Sequence, residues 1–292
     1  MQAIWPSFTI VSILFSLILQ RSLQACANGQ APFPKIVGGT SLNTYFDQID
    51  YNQVTDHLVA VGNTNDQGVR GDASSAFSPI VIAYQYNQYK WGKIFPSMIN
   101  DNIYGVNINR QGTRLVVSNY DTNRYLIVMD ITNGNVIAST QFTVSVYYDY
   151  YRRNLLLLED GKIVIGDDTR IIQIAPSSTS ATTLTLSGYS TIGLLSNTAQ
   201  SYLHVYSFAA NICMITVLDM VSFTGIYQYQ AQCASTSADD LAKTFQSCIF
   251  ETSATAETIV FQEGTRFFRV HNQYSPSLLT TSTVHATTTL FG

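Results

Sequence analysis

Residues 112–140 read GTRLVVSNYDTNRYLIVMDITNGNVIAST, in which short apolar segments alternate with residues that favour turns. Val, Ile, Leu and Tyr fill three short segments, Arg114–Asn119, Arg124–Ile131 and Asn135–Thr140, whereas Asn, Asp, Gly and Thr fill the breaks between them. Short apolar segments bounded by such residues predict strands joined by tight turns, because Asn and Gly tolerate positive φ and Asp bonds its own backbone. Tyr104–Asn109 supplies a further strand ahead of these three. The unit is therefore four antiparallel strands in chain order.

The same pattern recurs along the chain. The segment 211–232 reads NICMITVLDMVSFTGIYQYQAQ, and its Asp219 followed by Gly225 repeats the order of Asp130 followed by Gly134, so that Gly225 is predicted to lie in a turn. Short apolar strands begin at intervals of about 40 to 57 residues, close to the repeat length of β-propeller blades. These strands are His57–Val61, Arg114–Val117, Lys162–Ile165, Tyr202–Val205 and Thr258–Phe261.

The pattern predicts an all-β fold, a β-propeller of about five to six four-stranded blades. The blades are expected at roughly 45–97, 98–143, 144–188, 189–236 and 243–285. Lys35–Thr40 is predicted to be a further strand that completes an end blade and closes the ring, and Ser237–Thr244 is the one helical turn expected. An open fragment of a longer ring and an irregular β-sandwich remain alternatives, since alternation alone does not fix topology.

The amino-terminal residues predict secretion. An apolar run of about a dozen residues, Phe8–Leu19, has the length of a signal-peptide core and is shorter than a membrane span. Ala25-Cys26-Ala27 is a small-residue cleavage site, so residues 1–27 are the expected signal peptide, with cleavage after Ala25 as the second choice. The single expected domain is then 28–292, and no later run is long enough to cross a membrane.

Composition limits the partners. Only 12% of the residues are charged, the net charge is −4, and Lys and Arg do not cluster, which argues against nucleic acid because its binding depends on neutralising phosphates. Four cysteines, Cys26, Cys213, Cys233 and Cys248, are disulfide candidates in an oxidising compartment. Their three possible pairings stay open, as no spacing selects one.

Gly112–Thr140 resembles the repeat of the YVTN family of β-propellers, which is related to WD40-like folds. The matching residues are Gln111-Gly112-Thr113, Val116-Val117-Ser118-Asn119, Ile127-Val128-Met129-Asp130 and Val136-Ile137-Ala138-Ser139-Thr140. The match is good over about 30 residues and partial at 211–232. The resemblance implies a propeller with extracellular or surface-layer partners, and it implies no reaction.

Two motifs suggest other functions. Lys35-Ile36-Val37-Gly38-Gly39 has the form of a serine-protease activation site, but none of the four histidines and no Gly-Asp-Ser-Gly-Gly stretch supplies the remaining machinery. Arg70-Gly71-Asp72 lies in the polar loop 63–78, where an exposed tripeptide of this kind engages adhesion receptors. The simpler interpretation of the first motif is a β-strand followed by a glycine turn. The simpler interpretation of the second is an ordinary turn, in which Gly beside Asp is common.

Charged residues gather in particular loops. In a propeller, the loops that join second to third strands and those that join consecutive blades emerge on one face, which we call the loop face. Its predicted ligand-binding residues are Asp66, Arg70, Asp72, Asp101, Asp121, Asp167, Asp168, Arg170 and Asp239, with Asp240 beside them. Such an acidic rim suits Ca²⁺, a basic peptide or a sugar, whereas solvated turns are the simpler explanation.

The sequence therefore predicts a secreted or cell-surface propeller that binds an extracellular protein or carbohydrate ligand and has no chemistry or resident cofactor of its own. A Ca²⁺-dependent propeller hydrolase or lactonase is the alternative, with the rim carboxylates as the metal ligands. A fragment or subunit of a larger surface protein is a third possibility.

Overall fold

The structure is a computed structural model that describes residues 38–98, 100–119, 124–142, 154–166, 169–175, 181–186, 188–197, 199–210, 212–233, 246–253, 256–263, 266–273 and 284–287. Within these ranges the chain forms 20 strands and one short helix. The strands make five four-stranded antiparallel sheets, and in each sheet the order in space follows the order in the chain. The predicted all-β class is confirmed.

The sheets are numbered 1 to 5 along the chain. Sheet 1 contains β1 (Thr44–Asn52), β2 (His57–Thr64), β3 (Ser78–Gln85) and β4 (Gln88–Ile94), with helix α1 (Gln67–Arg70) between β2 and β3. Sheet 2 contains β5 (Ile103–Ile108), β6 (Arg114–Asn119), β7 (Arg124–Asp130) and β8 (Val136–Phe142). Sheet 3 contains β9 (Leu155–Leu157), β10 (Ile163–Gly166), β11 (Arg170–Ile174) and β12 (Ala181–Thr185). Sheet 4 contains β13 (Ser190–Ser196), β14 (Tyr202–Ala209), β15 (Ile212–Asp219) and β16 (Thr224–Gln232). Sheet 5 contains β17 (Gln246–Ser253), β18 (Ala256–Glu263), β19 (Arg266–Gln273) and β20 (Val284–Thr287).

Strand β6 explains why its sequence is a continuous apolar run. Leu115 and Val117 pack with Val59 and Val61 of sheet 1 in one hydrophobic cluster, whereas Val116, on the opposite face, packs in a second cluster with residues of sheet 3. All three side chains of β6 are fully buried. A middle strand covered on both faces needs apolar residues at every position, and each buried side chain of this size contributes about 1.5–3 kcal/mol. Sheets 1, 2 and 3 are therefore stacked face to face in sequence.

The first strands of consecutive sheets lie next to each other. β1 contacts β5, β5 contacts β9, and β9 contacts β13. Polar side chains satisfy the strand edges left open at these junctions. Gln48 Oε1 accepts the backbone N–H of Val106 at 2.7 Å, and Asp50 Oδ2 accepts that of Ile108 at 2.7 Å. In the next junction Asn107 Oδ1 accepts the N–H of Leu157 at 2.7 Å. Each sheet thus protects the inner edge of the sheet that follows it.

Two local predictions are wrong. The described part of Lys35–Thr40, Gly38–Thr40, is an irregular loop and not a strand, because the backbone N–H groups that follow it bind a carboxylate instead of a neighbouring strand. Gly225 lies inside β16, and the left-handed turn position belongs to Phe223, whose φ is 54° and whose buried ring anchors the turn in the hydrophobic core. Ser237–Thr244 and the predicted signal peptide lie outside the described residues.

One disulfide joins Cys213 of β15 to Cys233, which follows β16. Of the other two cysteines, Cys26 lies outside the described residues and Cys248 lies in β17. Across the described ranges, no helix has the length and apolar character needed to cross a membrane.

Candidate functional site

The predicted loop-face residues that the structure describes are at the expected ends of their sheets. Asp66, Arg70 and Asp72 belong to the connection between β2 and β3, Asp101 lies between sheets 1 and 2, and Arg170 is the first residue of β11. The connections also touch each other, since Asn100 N–H donates to the Phe77 carbonyl. Asp121, Asp167, Asp168, Asp239 and Asp240 lie outside the described residues.

Asp66 is fully buried and is bonded entirely within the chain. Its Oδ2 accepts the N–H groups of Leu42 at 2.7 Å and Ser41 at 2.8 Å, and its Oδ1 caps helix α1 by accepting Val69 N–H at 3.0 Å. These backbone donors lower the pKa of Asp66 to about 2. The same packing explains a glycine of the Lys35–Gly39 motif, because a Cβ at Gly39 would lie 1.7 Å from the Asp66 carboxyl carbon.

Arg70 and Asp72 bond to each other. Arg70 Nε and Nη2 donate to the two carboxylate oxygens of Asp72 at 2.8 and 2.9 Å, and Nη1 donates to the Ala76 carbonyl and to Ser78 Oγ. The Arg70 side chain is only 2% exposed, whereas that of Asp72 is 43% exposed. The hydrogen bonds from Arg70 lower the pKa of Asp72. Because the guanidinium is buried against its own loop, the tripeptide does not present the two separated, outward charges that the adhesion hypothesis requires.

Asp101 is buried as well and accepts hydrogen bonds from Asn119 Nδ2 and from Asn102 N–H, the latter at 2.8 Å. Asn119 in turn accepts Tyr125 N–H, so this pair links the end of β6 to the start of β7. In the described part of the chain, no three His, Cys, Asp or Glu side chains are grouped as metal ligands. The binding role of the loop-face residues stays a prediction, while the hydrogen bonds of Asp66, Arg70 and Asp101 serve the fold.

The opposite end of the sheets, which we call the turn face, carries the turns between first and second strands and between third and fourth strands. A chain of hydrogen bonds links its turns across sheets 1 to 4. Asn52 Nδ2 donates to the carbonyls of Asn109 and Arg110 at 2.9 and 2.8 Å, and Asn109 Nδ2 donates to Glu159 Oε2 at 2.8 Å. Glu159 N–H donates to Gln200 Oε1 at 2.9 Å. Sequence reasoning missed this belt, because its members are about 40 to 60 residues apart.

The turns themselves repeat. The N–H of Gly112 donates to the Asn109 carbonyl, that of Gly161 to Leu158, and that of Gln200 to Asn197, each three residues back. Gly112, Gly161 and Gln200 all have positive φ. Sheets 2, 3 and 4 therefore share one turn type between first and second strands, although only two of the three use the glycine that sequence reasoning looks for.

Exposed apolar side chains concentrate on sheet 1. Of the eleven large apolar side chains that are highly exposed among the residues of 38–233 whose side chains are described, seven belong to residues 42–89. They are Leu42, Tyr45, Ile49, Tyr51, Val54, Tyr86 and Tyr89. Tyr51 and Val54 adjoin the turn between β1 and β2, while Tyr86 and Tyr89 adjoin the turn between β3 and β4, so these four lie at the turn face. Tyr84, by contrast, is buried and packs edge-on against the ring of Tyr89.

An apolar cleft of about 70 Å³ lies between sheets 2 and 3. It opens over the hydrophobic cluster that joins these sheets, since Leu126, Ile163 and Ile174 belong to both. The other lining residues are Arg114, Val128, Ile137, Ala138, Thr140, Gly161 and Ala175. No sequence signal marks this cleft, because its walls come from two separate sheets that meet only in the folded chain.

Solved structures with the same sheet arrangement are propellers. The Swd1 β-propeller domain of Myceliophteria thermophila superposes with a TM-score of 0.51 at 12% identity, covering 85% of this chain and 71% of that chain. The chain has a β-propeller fold. A chain of the mitotic checkpoint complex (TM-score 0.53, 10% identity, 83% and 69% covered) and a protein of unknown function from Bacteroides caccae (0.51, 12%, 78% and 78%) agree with this propeller assignment. No family model matches the sequence, and no curated protein does. The first strands β1, β5, β9 and β13 adjoin one another, as the inner strands of propeller blades do.

Proposed function

We propose that this protein is a secreted β-propeller that serves as an interaction module for an extracellular protein. The observation that carries the proposal is the sheet 1 patch at the turn face, where Tyr51, Val54, Tyr86 and Tyr89 are highly exposed. Tyrosine is enriched at protein interfaces, since it offers a large apolar surface and a hydroxyl that tolerates water. Exposed apolar side chains that are gathered in one region mark interaction sites more often than scattered ones do.

The proposed propeller is a single ring of five blades. The face of sheet 1 that points away from sheet 2 carries Ile80 and Ile82, which are buried. The face of sheet 4 that points away from sheet 3 carries Tyr206 and Ile215, which are buried as well. Sheet 5, placed between sheets 4 and 1, is the proposed cover for both faces. This arrangement continues the stacking of sheets 1 to 4 and leaves no sheet with an open face.

Secretion is supported by the disulfide between Cys213 and Cys233, because such bonds persist in oxidising compartments. The signal-peptide pattern at Phe8–Leu19 is the second support. Mass spectrometry of protein recovered from the medium of a secreting host tests this directly. The expected mature chain begins at Asn28, or at Cys26 for the second cleavage site, and material found only inside the cell with Met1 retained would contradict secretion.

The binding proposal is tested on arrays of extracellular protein domains and of glycans, probed with the purified full chain. We expect specific protein ligands whose binding is lost in Val54→Ser but retained in Val221→Ser. Val221 is the matched control, because it is 91% exposed and lies outside the sheet 1 patch, in the turn between β15 and β16. Binding to glycans alone, equal loss in both variants, or no ligand on either array would contradict a protein-binding module with this patch as its site.

A further inference from the structure

Strand β8 forms an unprotected outer edge of sheet 2. It is the last strand of its sheet, so no described strand pairs with its outer side. Its sequence, VIASTQF, contains no charge and no proline, whereas the corresponding strand β4 of sheet 1 carries Lys90 and Lys93. Val136 and Ile137 are both highly exposed. Edge strands that lack charged residues are templates for pairing with another chain.

A bulge directs β8 toward the cleft between sheets 2 and 3. The register of β8 with β7 shifts between Val136, which pairs with Met129, and Ala138, which pairs with Val128, so that Ile137 has no partner opposite it. Ile137 and Ala138 both line the cleft as a result. An extended chain laid along the edge of β8 therefore has an apolar cavity beside it.

One positive charge lies at the wall of this otherwise apolar cleft. Arg114, the first residue of β6, lines the cleft and is exposed, and its guanidinium makes no hydrogen bond or ion pair with another residue of the described chain. Asp130, directly opposite Arg114 in the β6–β7 ladder, accepts from Thr132 N–H and Thr132 Oγ1. A planar guanidinium is suited to binding a carboxylate through two parallel hydrogen bonds.

We propose that the edge of β8 and the adjoining cleft form the docking site for an extended segment of the partner protein, with an apolar side chain in the cleft and a nearby carboxylate on Arg114. This inference rests on the proposed function and assigns its partner a chemistry. The segment would add a fifth strand to sheet 2, so that main-chain hydrogen bonds supply affinity and the cleft and Arg114 supply specificity. The open edge of β8 and the charge of Arg114 favour a peptide, because an extended chain satisfies the unpaired main-chain groups of the edge while its carboxylate pairs with the guanidinium.

The test uses a set of octapeptides that are acetylated at the N-terminus and amidated at the C-terminus. Each peptide has one Leu, one Asp and Ser or Thr elsewhere, and the set covers every pair of positions for Leu and Asp. Binding of each to the purified full chain is measured by fluorescence polarisation. We expect a subset to bind, with Leu and Asp at a fixed separation, and to weaken when that Asp is replaced by Asn. In Arg114→Gln the affinity for this subset should fall by about tenfold or more, and the preference for Asp over Asn should disappear.

Lys162→Gln is the matched control, because it removes the same charge from the turn beside the cleft, where Lys162 is paired with Asp160 and does not line the cavity. The affinity of the Lys162→Gln variant for the same peptides should differ from that of the native chain by less than about twofold, as expected when an exposed ion pair is removed. Ala138→Arg, which fills the cleft from β8, should abolish binding while circular dichroism and the melting temperature confirm folding.

Equal effects of Arg114→Gln and Lys162→Gln, or no peptide that binds more tightly than the Ser/Thr background, would overturn the proposal. Binding of dodecanoate with the same dependence on Arg114 would replace the peptide with a fatty acid. A protein ligand found on the arrays whose binding is lost in Val54→Ser but survives both Arg114→Gln and Ala138→Arg would leave the interaction module standing and remove this docking site.

Discussion

Gly134 is the position at which a single methyl group tests how sheets 1 and 2 fit together. It has a φ of 71°, and a Cβ added there would lie 2.7–3.0 Å from three atoms of the Trp91 indole, compared with about 3.5–4.0 Å for an ordinary contact. Trp91 in β4 of sheet 1 cannot move freely, since its Nε1–H donates to the Ile131 carbonyl of sheet 2 at 2.7 Å. We expect Gly134→Ala to lower the free energy of unfolding by about 1–2 kcal/mol because of the left-handed backbone, and by about 1–3 kcal/mol more because of overpacking.

Gly71→Ala isolates the backbone effect. Gly71 has a similar φ of 75°, and a Cβ added there meets no atom within 4 Å. In thermal denaturation followed by circular dichroism, Gly71→Ala should lower the melting temperature by about 2–8 °C and Gly134→Ala by about 4–20 °C, at about 2–4 °C per kcal/mol for a chain of this size. In a Trp91→Ala background the two glycine substitutions should lower the melting temperature by the same amount. If Gly134→Ala still lowers it more than Gly71→Ala in that background, the inferred contact between the two sheets is wrong. The same conclusion follows if the two substitutions have equal effects in the native background.

Three further predictions follow from the hydrogen bonds and the disulfide. Backbone donors lower the pKa of Asp66 to about 2, so the ionised carboxylate stabilises the fold fully above its unfolded pKa of about 3.8. This stabilisation is lost as the pH falls toward 2. The melting temperature should therefore change less with pH over this range in Asp66→Asn than in the native chain. Reducing the bond between Cys213 and Cys233 should lower the free energy of unfolding by about 3 kcal/mol, measured by urea denaturation with and without reductant; no change would mean that these cysteines are not joined. Asn109→Ala should lower the free energy of unfolding by about 1–3 kcal/mol, because two partly buried backbone N–H groups and one Glu159 oxygen lose their partner. Exposed Asn133→Ala should lower it by about 1 kcal/mol or less.

The strands of sheet 2 could be predicted because local chemistry determines them. β6 is found at Arg114–Asn119 as predicted, and β7 ends at Asp130, one residue before the predicted end. Both are apolar segments bounded by residues with strong turn preferences. Phe223 shows where local reasoning fails: burial of its ring makes a left-handed conformation acceptable for a residue that avoids it in isolation, so the neighbouring glycine misleads.

The loop face shows a different limit. Asp66 was correctly placed in a loop, but its sequence context does not reveal that the loop returns past residues 41 and 42 and buries the carboxylate on their N–H groups. The belt from Asn52 to Gln200 and the cleft between sheets 2 and 3 were missed for the same physical reason, since each joins residues from separate sheets. Sequence patterns report the period of a strand and the chemistry of a turn, whereas sites between blades exist only after the sheets have packed.

In a propeller, consecutive sheets surround one axis with their first strands innermost, and a crystal structure of the protein measures this arrangement. We expect β1, β5, β9, β13 and β17 to lie nearest a common axis, and we expect sheet 5 to pack against both sheet 4 and sheet 1. Two layers of sheet stacked without rotational symmetry, or a fifth sheet that contacts neither of these two, would contradict it.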